Sequence, residues 1–383
     1  MGSMKLHLQR INEASITQAM ESIQSDSAGV AIMSKKSKIL AFRVSDLPLS
    51  AAMILKQEAL SVGGDLATPR DCILARSSHY DGVLFGTLAQ LARIAQKCKA
   101  QPFGLKQFAV SLESHLKECT PKRQIMAVVN VTPDSFYADS RQSARSAIER
   151  VESLVQSEVG IIDIGGASSR PGSELMEPRE ELERLGEVLE FIHQQGLYKH
   201  KDFSIDTYNV EVARFALERG FGYVNDVSGL ANEAMIELCG EYGAKVFLMH
   251  TQGTPKEMAN LTDYENLFAE MDAFFAHKLE ALTSRGVRDI VLDIGFGFAK
   301  NLEQNLLLIK HLSHFKHFGY PLLVGASRKS TIQKILQKPA SGTLSGTLAL
   351  HLLALQNGAD ILRVHDEEEH LDLLKILEAY DAV

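Results

Sequence analysis

An α/β fold, a (β/α)8 or TIM barrel carrying an additional small α+β domain at its N-terminus, is what this 383-residue sequence predicts. Three observations predict it. Beyond about residue 120, short apolar runs alternate with longer amphipathic ones, eight of each. The alternation occupies roughly 250 residues, the usual span of such a barrel. Each apolar run also ends on a polar residue, as expected where the strand ends of a barrel build a site.

The break near 120 falls at "KECTPKRQ", where Pro121 and its charged neighbours separate two patterns, giving domains 1–120 and 121–383. Strands are expected at 126–130, 160–165, 202–206, 222–226, 245–250, 289–294, 321–325 and 359–364. Between them "ARSAIERVESLVQS", "EELERLGEVLEFIHQQ", "VEVARFALERG" and "NLEQNLLLIKHL" repeat apolar residues at helical spacing. The helix after the seventh strand is expected in two parts, one from Lys329 and one through "GTLALHLLALQNG". "EEEHLDLLKILEAY" closes the barrel. A doubly wound open sheet is the competing fold, but it usually has fewer strands and a G-x-G-x-x-G after the first, which is missing here.

In the first 120 residues, "KLHLQRI", "GVAIMSK", "ILAFRV", "DCILARS" and "DGVLFGT" alternate with helical "SITQAMESIQ", "SAAMILKQEALSV" and "LAQLARIAQKCK" like a small α+β sandwich. Gly63-Gly64-Asp65 reads as a turn closing a helix. Met1-Gly2-Ser3 resembles a cloning remnant. All eight polar strand ends lie beyond Arg123, so residues 4–118 are expected to fold separately and to be dispensable for chemistry.

Composition narrows the function. A formal charge of −8 and a pI near 5.9 disfavour a nucleic-acid protein, which needs a basic surface. No apolar run approaches the ~20 residues of a membrane span. Cys72, Cys98, Cys119 and Cys239 show no C-x-x-C spacing, so reduced thiols and a cytoplasmic address are expected. His311, His314 and His317 recur at helical spacing without a carboxylate or cysteine among them, and read as a solvated helix face.

The strand ends, in order, are Asn130, Asp163, Asp206, Asn225 with Asp226, His250, Asp293, the loop "GASRKS", and Arg363 with His365. Asp206, Asn225 and Asp293 are acceptor-rich groups suited to the N–H and NH₂ edge of a flat heterocycle. Arg363 and His365 alternate on the last strand and so point the same way. With Arg170, Arg328 and Lys329 they suit phosphate or pyrophosphate, and "SRKS" opens a helix whose free N–H groups favour an anion. A planar, nitrogen-rich substrate with an anionic leaving group fits this set.

The stretches "NVTPDSF", "DIGGASSRPG", "IDT", "YVNDVSG", "LMHTQGTP", "DIGFGFAKNLEQNL", "VGASRKS" and "RVHD" occur at these strand ends in an order that resembles the dihydropteroate synthase family, from about residue 123 to the C-terminus. The resemblance implies condensation of 6-hydroxymethyl-dihydropterin diphosphate with 4-aminobenzoate, releasing pyrophosphate with Mg²⁺ as cofactor, in a homodimer. It implies that Asp206, Asn225, Asp293 and Lys329 recognise the pterin. Asn130 would hold the metal and diphosphate; Ser169, Arg363 and His365 would contact the diphosphate. Phe136, Ser169, Arg170, Pro171 and Ser330 would meet the aminobenzoate, and Asn130, Lys329, Arg363 and His365 would carry the catalysis. The chain departs from the family pattern at Ala167, Ser169, Gln252 and Ile294, where Glu, Thr, Arg and Pro are usual. In its first loop either Asp134 or Asp139 faces the reaction centre. A pterin-binding methyltransferase barrel serving a corrinoid protein is the alternative enzyme; a degenerate scaffold barrel is the non-enzymatic one.

Overall fold

The computed structural model describes residues 8–117, 123–131, 140–167, 175–253, 257 and 261–382. The chain divides into two compact units, Met1–Glu118 and Cys119–Val383.

In the first unit, β1 (Ile39–Pro48), β2 (Asp65–Ala67) and β3 (His79–Thr87) form an antiparallel sheet in the order β1-β3-β2. Alternation along β3 turns Tyr80 and Leu84 toward helices Leu49–Ser61 and Leu88–Cys98, whose Leu55, Leu91 and Ile94 are fully buried. Thr87 and Gln90 cap the second helix reciprocally, Gln90 Oε1 accepting from the Thr87 N–H at 2.8 Å. Gly63, at φ +85°, closes the first helix as expected, and β2 follows directly.

Two of the apolar runs are not strands. "GVAIMSK" lies in helix Ser27–Ser34, started by Asp26, whose carboxylate accepts from the Gly29 N–H at 2.9 Å. "DCILARS" is a single 3-10 turn, Cys72–Leu74, stopped by Ala75 in the left-handed region. Short apolar runs do not distinguish strand from helix by periodicity, and local capping decided both. The part of "KLHLQRI" among the described residues forms no element, while helix Leu105–His115 had no counterpart in the sequence reading.

The second unit is a closed parallel barrel of eight strands: β4 (Gln124–Asn130), β5 (Ile161–Gly165), β6 (Asp202–Asp206), β7 (Tyr223–Asp226), β8 (Lys245–Met249), β9 (Ile290–Asp293), β10 (Leu322–Val324) and β11 (Ile361–Val364). They pair in chain order, and β11 closes on β4 with Arg363 opposite Met126. All eight expected strands are present. The helix after β10 is double, as read: Ser330–Leu336 and Leu344–Gln356.

Alternate residues point inward and outward. Outward residues such as Ile162, Ile205, Val224 and Leu362 pack on the surrounding helices. Inward, Met126, Ile161, Tyr223, Phe247, Val291, Leu323 and Ile361 fill one apolar layer of the interior. One inward position further along several strands stand Asp163, Asn225, Asp293 and Arg363, so the lumen changes from apolar to charged toward the C-terminal mouth.

Of the histidine row, His314 and His317 lie in 3-10 helix Leu312–Phe318 and His311 caps its start, so the three do not form one solvated helix face. His311 is exposed, but His314 and His317 are half-buried, and His314 Nε2 lies 3.0 Å from Asp272, a carboxylate supplied by helix Leu267–Ser284. Among the described cysteines, Cys72, Cys98 and Cys239 are buried and unbridged. Among the described residues no helix is long and apolar enough to cross a membrane.

Candidate active site

Arg363 is the hub of the polar layer. Its Nε donates to Asp163 Oδ2 at 2.7 Å, and its Nη2 donates to Asp206 Oδ2 at 2.5 Å. Asn225 Nδ2 donates to the same Asp163 oxygen at 3.1 Å. Four strands thus meet in one hydrogen-bonded set. Asp163 is wholly buried, and its Oδ1 has no partner among the described residues. A buried acceptor without a partner is unusual in a folded protein and marks this set for a functional role.

Burial pushes the Asp206 carboxyl up to about 7; Arg363 holds it down, while the neighbouring Asp163 carboxylate adds to the rise. Burial opposes the charge on Arg363 too, yet Asp163 and Asp206 hold its guanidinium protonated, above the ordinary arginine value. The shared cation thus opposes the rise of Asp206, while the two carboxylates together cause that of Arg363.

Asp293, the last residue of β9, is pushed up by burial, with Lys329 drawing it down. Its Oδ1 accepts from the Gly295 N–H at 2.7 Å. Lys329 immediately precedes helix Ser330–Leu336; its Nζ donates to the Phe296 carbonyl and lies 4.2 Å from the Phe298 ring centroid. Burial lowers this ammonium to about 7, against the pull of Asp293. Ser330 is exposed as the first residue of that helix.

Asn130 ends β4 with its side chain exposed, opposite Gly165 on β5, and without a hydrogen-bond partner among the described residues. His365 follows the end of β11, its Nδ1 2.9 Å from Ser327 Oγ. Arg328 faces the loop after β11: its guanidinium donates to Asp366 and to the carbonyls of Ala340 and Ser341. Phe136, Ser169, Arg170 and Pro171, with Asp134 and Asp139, lie outside the described residues.

Sequence reasoning missed the roles of three buried groups. Asp163 was only a strand end, although an Asp inside the apolar "IIDIG" was the available signal. Lys300 is 7% exposed, and its Nζ meets His250 Nδ1 at 3.0 Å and the carbonyls of His250, Gly295 and Phe298. Burial lowers Lys300 to about 7 and His250 to about 2. Gly295, at φ +62°, has to be glycine, since a Cβ there would fall 1.9 Å from the His250 carbonyl oxygen. Glu181 is the third: its Oε2 accepts from Thr207 Oγ1 at 2.9 Å and Asn209 Nδ2 at 2.7 Å, tying the loop after β6 to helix Pro178–Gln194.

Comparison with known proteins places the chain among relatives. The family model described as "Pterin binding enzyme" matches residues 126–365. A Helicobacter pylori bifunctional dihydropteroate synthase/dihydropteroate reductase is 51% identical over 375 residues, 98% of this chain and 99% of the relative. The Escherichia coli dihydropteroate synthase is 38% identical over 258 residues, 67% of this chain and 90% of its own length. A Clostridium difficile dihydropteroate synthase crystallised in the presence of pteroic acid superposes with a TM-score of 0.62 at 38% identity, covering 68% of this chain and 97% of that one. A Yersinia pestis dihydropteroate synthase solved with a sulfonamide drug gives a TM-score of 0.62 at 36% identity, with 68% and 95% coverage.

Proposed function

Because this chain belongs to the pterin-binding enzymes, and among them to the dihydropteroate synthases, we propose that its barrel mouth is divided into a pterin pocket, a diphosphate seat and an aminobenzoate end. The enzyme condenses 6-hydroxymethyl-7,8-dihydropterin diphosphate with 4-aminobenzoate, giving 7,8-dihydropteroate and pyrophosphate.

Asp206, Asn225 and Asp293 accept hydrogen bonds from the pterin edge, and Lys329 donates to it. The carrying observation is the buried set Asn225–Asp163–Arg363–Asp206, with Asp163 Oδ1 lacking a partner among the described residues. Arg363 and His365 receive the diphosphate together with Asn130 and Ser169. Negative charge gathers on the leaving oxygens as the C–O bond at the exocyclic methylene loosens, and preorganised donors stabilise it without reorganising. The electron-rich pterin supports positive charge at that carbon, so the weakly basic arylamine attacks without a strong general base. Ser330, Phe136, Ser169, Arg170 and Pro171 form the aminobenzoate end.

Mg²⁺ is the proposed cofactor. It keeps several waters and binds through few protein oxygens plus substrate phosphates, so the exposed Asn130 amide, facing the side-chain-free Gly165, fits a one-ligand role. Bound there, it would supply charge neutralisation on the diphosphate. A homodimer is proposed with it, supported by exposed Leu353, Ile376 and Tyr380 on the last two helices. A cytoplasmic address belongs to the same reading, supported by the unbridged thiols.

The N-terminal unit is assigned a second activity. The Helicobacter pylori relative, which matches along 98% of this chain, is named for a dihydropteroate reductase as well, while the Escherichia coli synthase spans only the barrel-sized 67%. The full chain then transfers a hydride from a reduced nicotinamide, which leaves oxidised, and a proton from solvent to 7,8-dihydropteroate, giving tetrahydropteroate, and residues 4–118 are dispensable for the synthase step.

Pyrophosphate release that requires both substrates tests the synthase reading. An enzyme silent with both under Mg²⁺, yet active with a methylated folate, would favour the methyltransferase alternative. A chain beginning near Thr120 is expected to keep synthase kcat within about tenfold, or ~1.4 kcal/mol in the barrier, and to lose dihydropteroate reduction by reduced nicotinamide. Retained reduction overturns the second assignment.

A further inference from the structure

We infer that His351 and His370 form a neutral two-histidine clasp that positions the loop bearing Lys329 and Ser330 against the loop bearing His365. His351 lies in helix Leu344–Gln356 and His370 in helix Glu367–Asp381, and both are fully buried. The inference rests on the site assignment above, but both rings are closed off from solvent.

The hydrogen bonds dictate the protonation of both rings. The Ala326 N–H, 3.1 Å from His351 Nε2, can only donate, so Nε2 carries a lone pair and the neutral ring bears its hydrogen on Nδ1. That Nδ1 lies 2.8 Å from His370 Nε2, which therefore accepts. His370 in turn bears its hydrogen on Nδ1, 2.5 Å from the Asp366 carbonyl oxygen. Every donor in the chain runs one way, from the loop after β10 to the loop after β11.

Two other ties join the same loops. Ser327 Oγ meets His365 Nδ1 at 2.9 Å, and Arg328 Nε donates to Asp366 at 2.9 Å. Both are partly open to solvent, whereas the clasp is closed off from it and cannot exchange its partners for water. A buried hydrogen bond that cannot be replaced by water is the expensive kind to lose.

An added proton breaks the clasp at either ring. On His351 Nε2 it would confront the Ala326 N–H; on His370 Nε2 it would confront the His351 Nδ1–H. The charged and titratable groups facing His351 are His370, Lys329 and His365; those facing His370 are Asp366, Glu367 and Glu369. Burial first, then the three basic neighbours, hold His351 neutral well below the ordinary histidine range. Burial also lowers His370, opposed by its acidic neighbours, of which Asp366 and Glu367 are already held by Arg328 and Arg150.

Nitrogen NMR of the full-length protein labelled in histidine tests the protonation directly. Both rings are expected as the Nδ1–H form from about pH 5 to 8, through the range in which an ordinary histidine titrates. An imidazolium or an Nε2–H form at either ring overturns the inference. Kinetics tests the positioning. His351→Leu leaves the Ala326 N–H and His370 Nε2 unpaired, and kcat/KM should fall about tenfold or more, while His351→Gln, which offers an acceptor and a donor at similar span, should recover most of it. Gln should also move the acid limb of the pH–rate profile to lower pH. Equal kcat/KM in the two folded variants overturns the positioning role. Lys329→Ala separates the premises: if it keeps full activity while the tautomers stand, the site assignment has failed and the clasp has not.

Discussion

Arg363 Nη2 lies 2.5 Å from Asp206 Oδ2, although the family resemblance assigns the two side chains to different parts of one substrate, its diphosphate and its pterin. With Asp163 also bound, at 2.6 Å from Nη2, one guanidinium balances two buried carboxylates. If Arg363 receives the diphosphate as proposed, the site holds that cation in place before any anion arrives. Burial keeps the Asp206 carboxyl high, near 7, against the pull of Arg363, and the second carboxylate adds to the rise.

Removing the cation should be costly. In Arg363→Met, Asp163 and Asp206 remain buried without a partner, and breaking such a pair typically costs about 3–5 kcal/mol. A marked drop in the denaturant midpoint is expected together with loss of synthase turnover by about a hundredfold or more. A midpoint equal to that of the unaltered protein would show that the set contributes nothing to stability.

Asp206→Ala or Asn225→Ala should weaken pterin binding more than aminobenzoate binding. Losing one partner of a desolvated heterocycle edge costs on the order of 1–3 kcal/mol. Calorimetry finding unchanged pterin affinity in both variants removes these residues from the pocket.

Lys329, placed at the pterin as proposed, should make binding of the pterin diphosphate pH-dependent. Its folded pKa is lowered to about 7, so the empty site loses this positive charge as pH rises through 7. Affinity for the anionic substrate should therefore fall on the alkaline side, and Lys329→Met should flatten that fall. Stability moves the other way: between about 7 and the unfolded lysine value near 10.4 the unfolded chain binds the extra proton, so this residue's contribution rises with pH. Calorimetric affinities that stay flat across that range in the unaltered enzyme contradict the assignment.

Lys300→Met should damage the pterin pocket from behind. It leaves His250 Nδ1 and three carbonyls without their donor, a loss of about 3 kcal/mol or more. The turn that fixes Asp293 through the Gly295 N–H then loses its anchor. KM for the pterin substrate should rise more than KM for aminobenzoate; an equal rise in both would mean a general loosening instead.

Sulfonamides should compete with aminobenzoate, because the sulfonyl group imitates its carboxylate at the start of helix Ser330–Leu336. Inhibition noncompetitive against aminobenzoate in steady-state assays would argue for another binding place.

What the sequence determined by itself was most of what depends on near neighbours. Strands β4 to β11, the helices between them and the polar residue closing each β/α unit follow from periods of 2 and 3.6 residues and from strand-end chemistry, all local to one unit. The same local reasoning failed at "GVAIMSK" and "DCILARS", where runs of similar composition were decided by the Asp26 cap and by Ala75 in the left-handed region. Only closure of the barrel decided which polar ends meet. Arg363 reaches Asp163 and Asp206 across 200 and 157 residues of chain, and Lys300 finds His250 across 50. Such pairs carry no periodic signature, because a charge is admitted to the interior only where distant strands bring it a partner, and that partner is fixed by register and closure rather than by its neighbours in sequence.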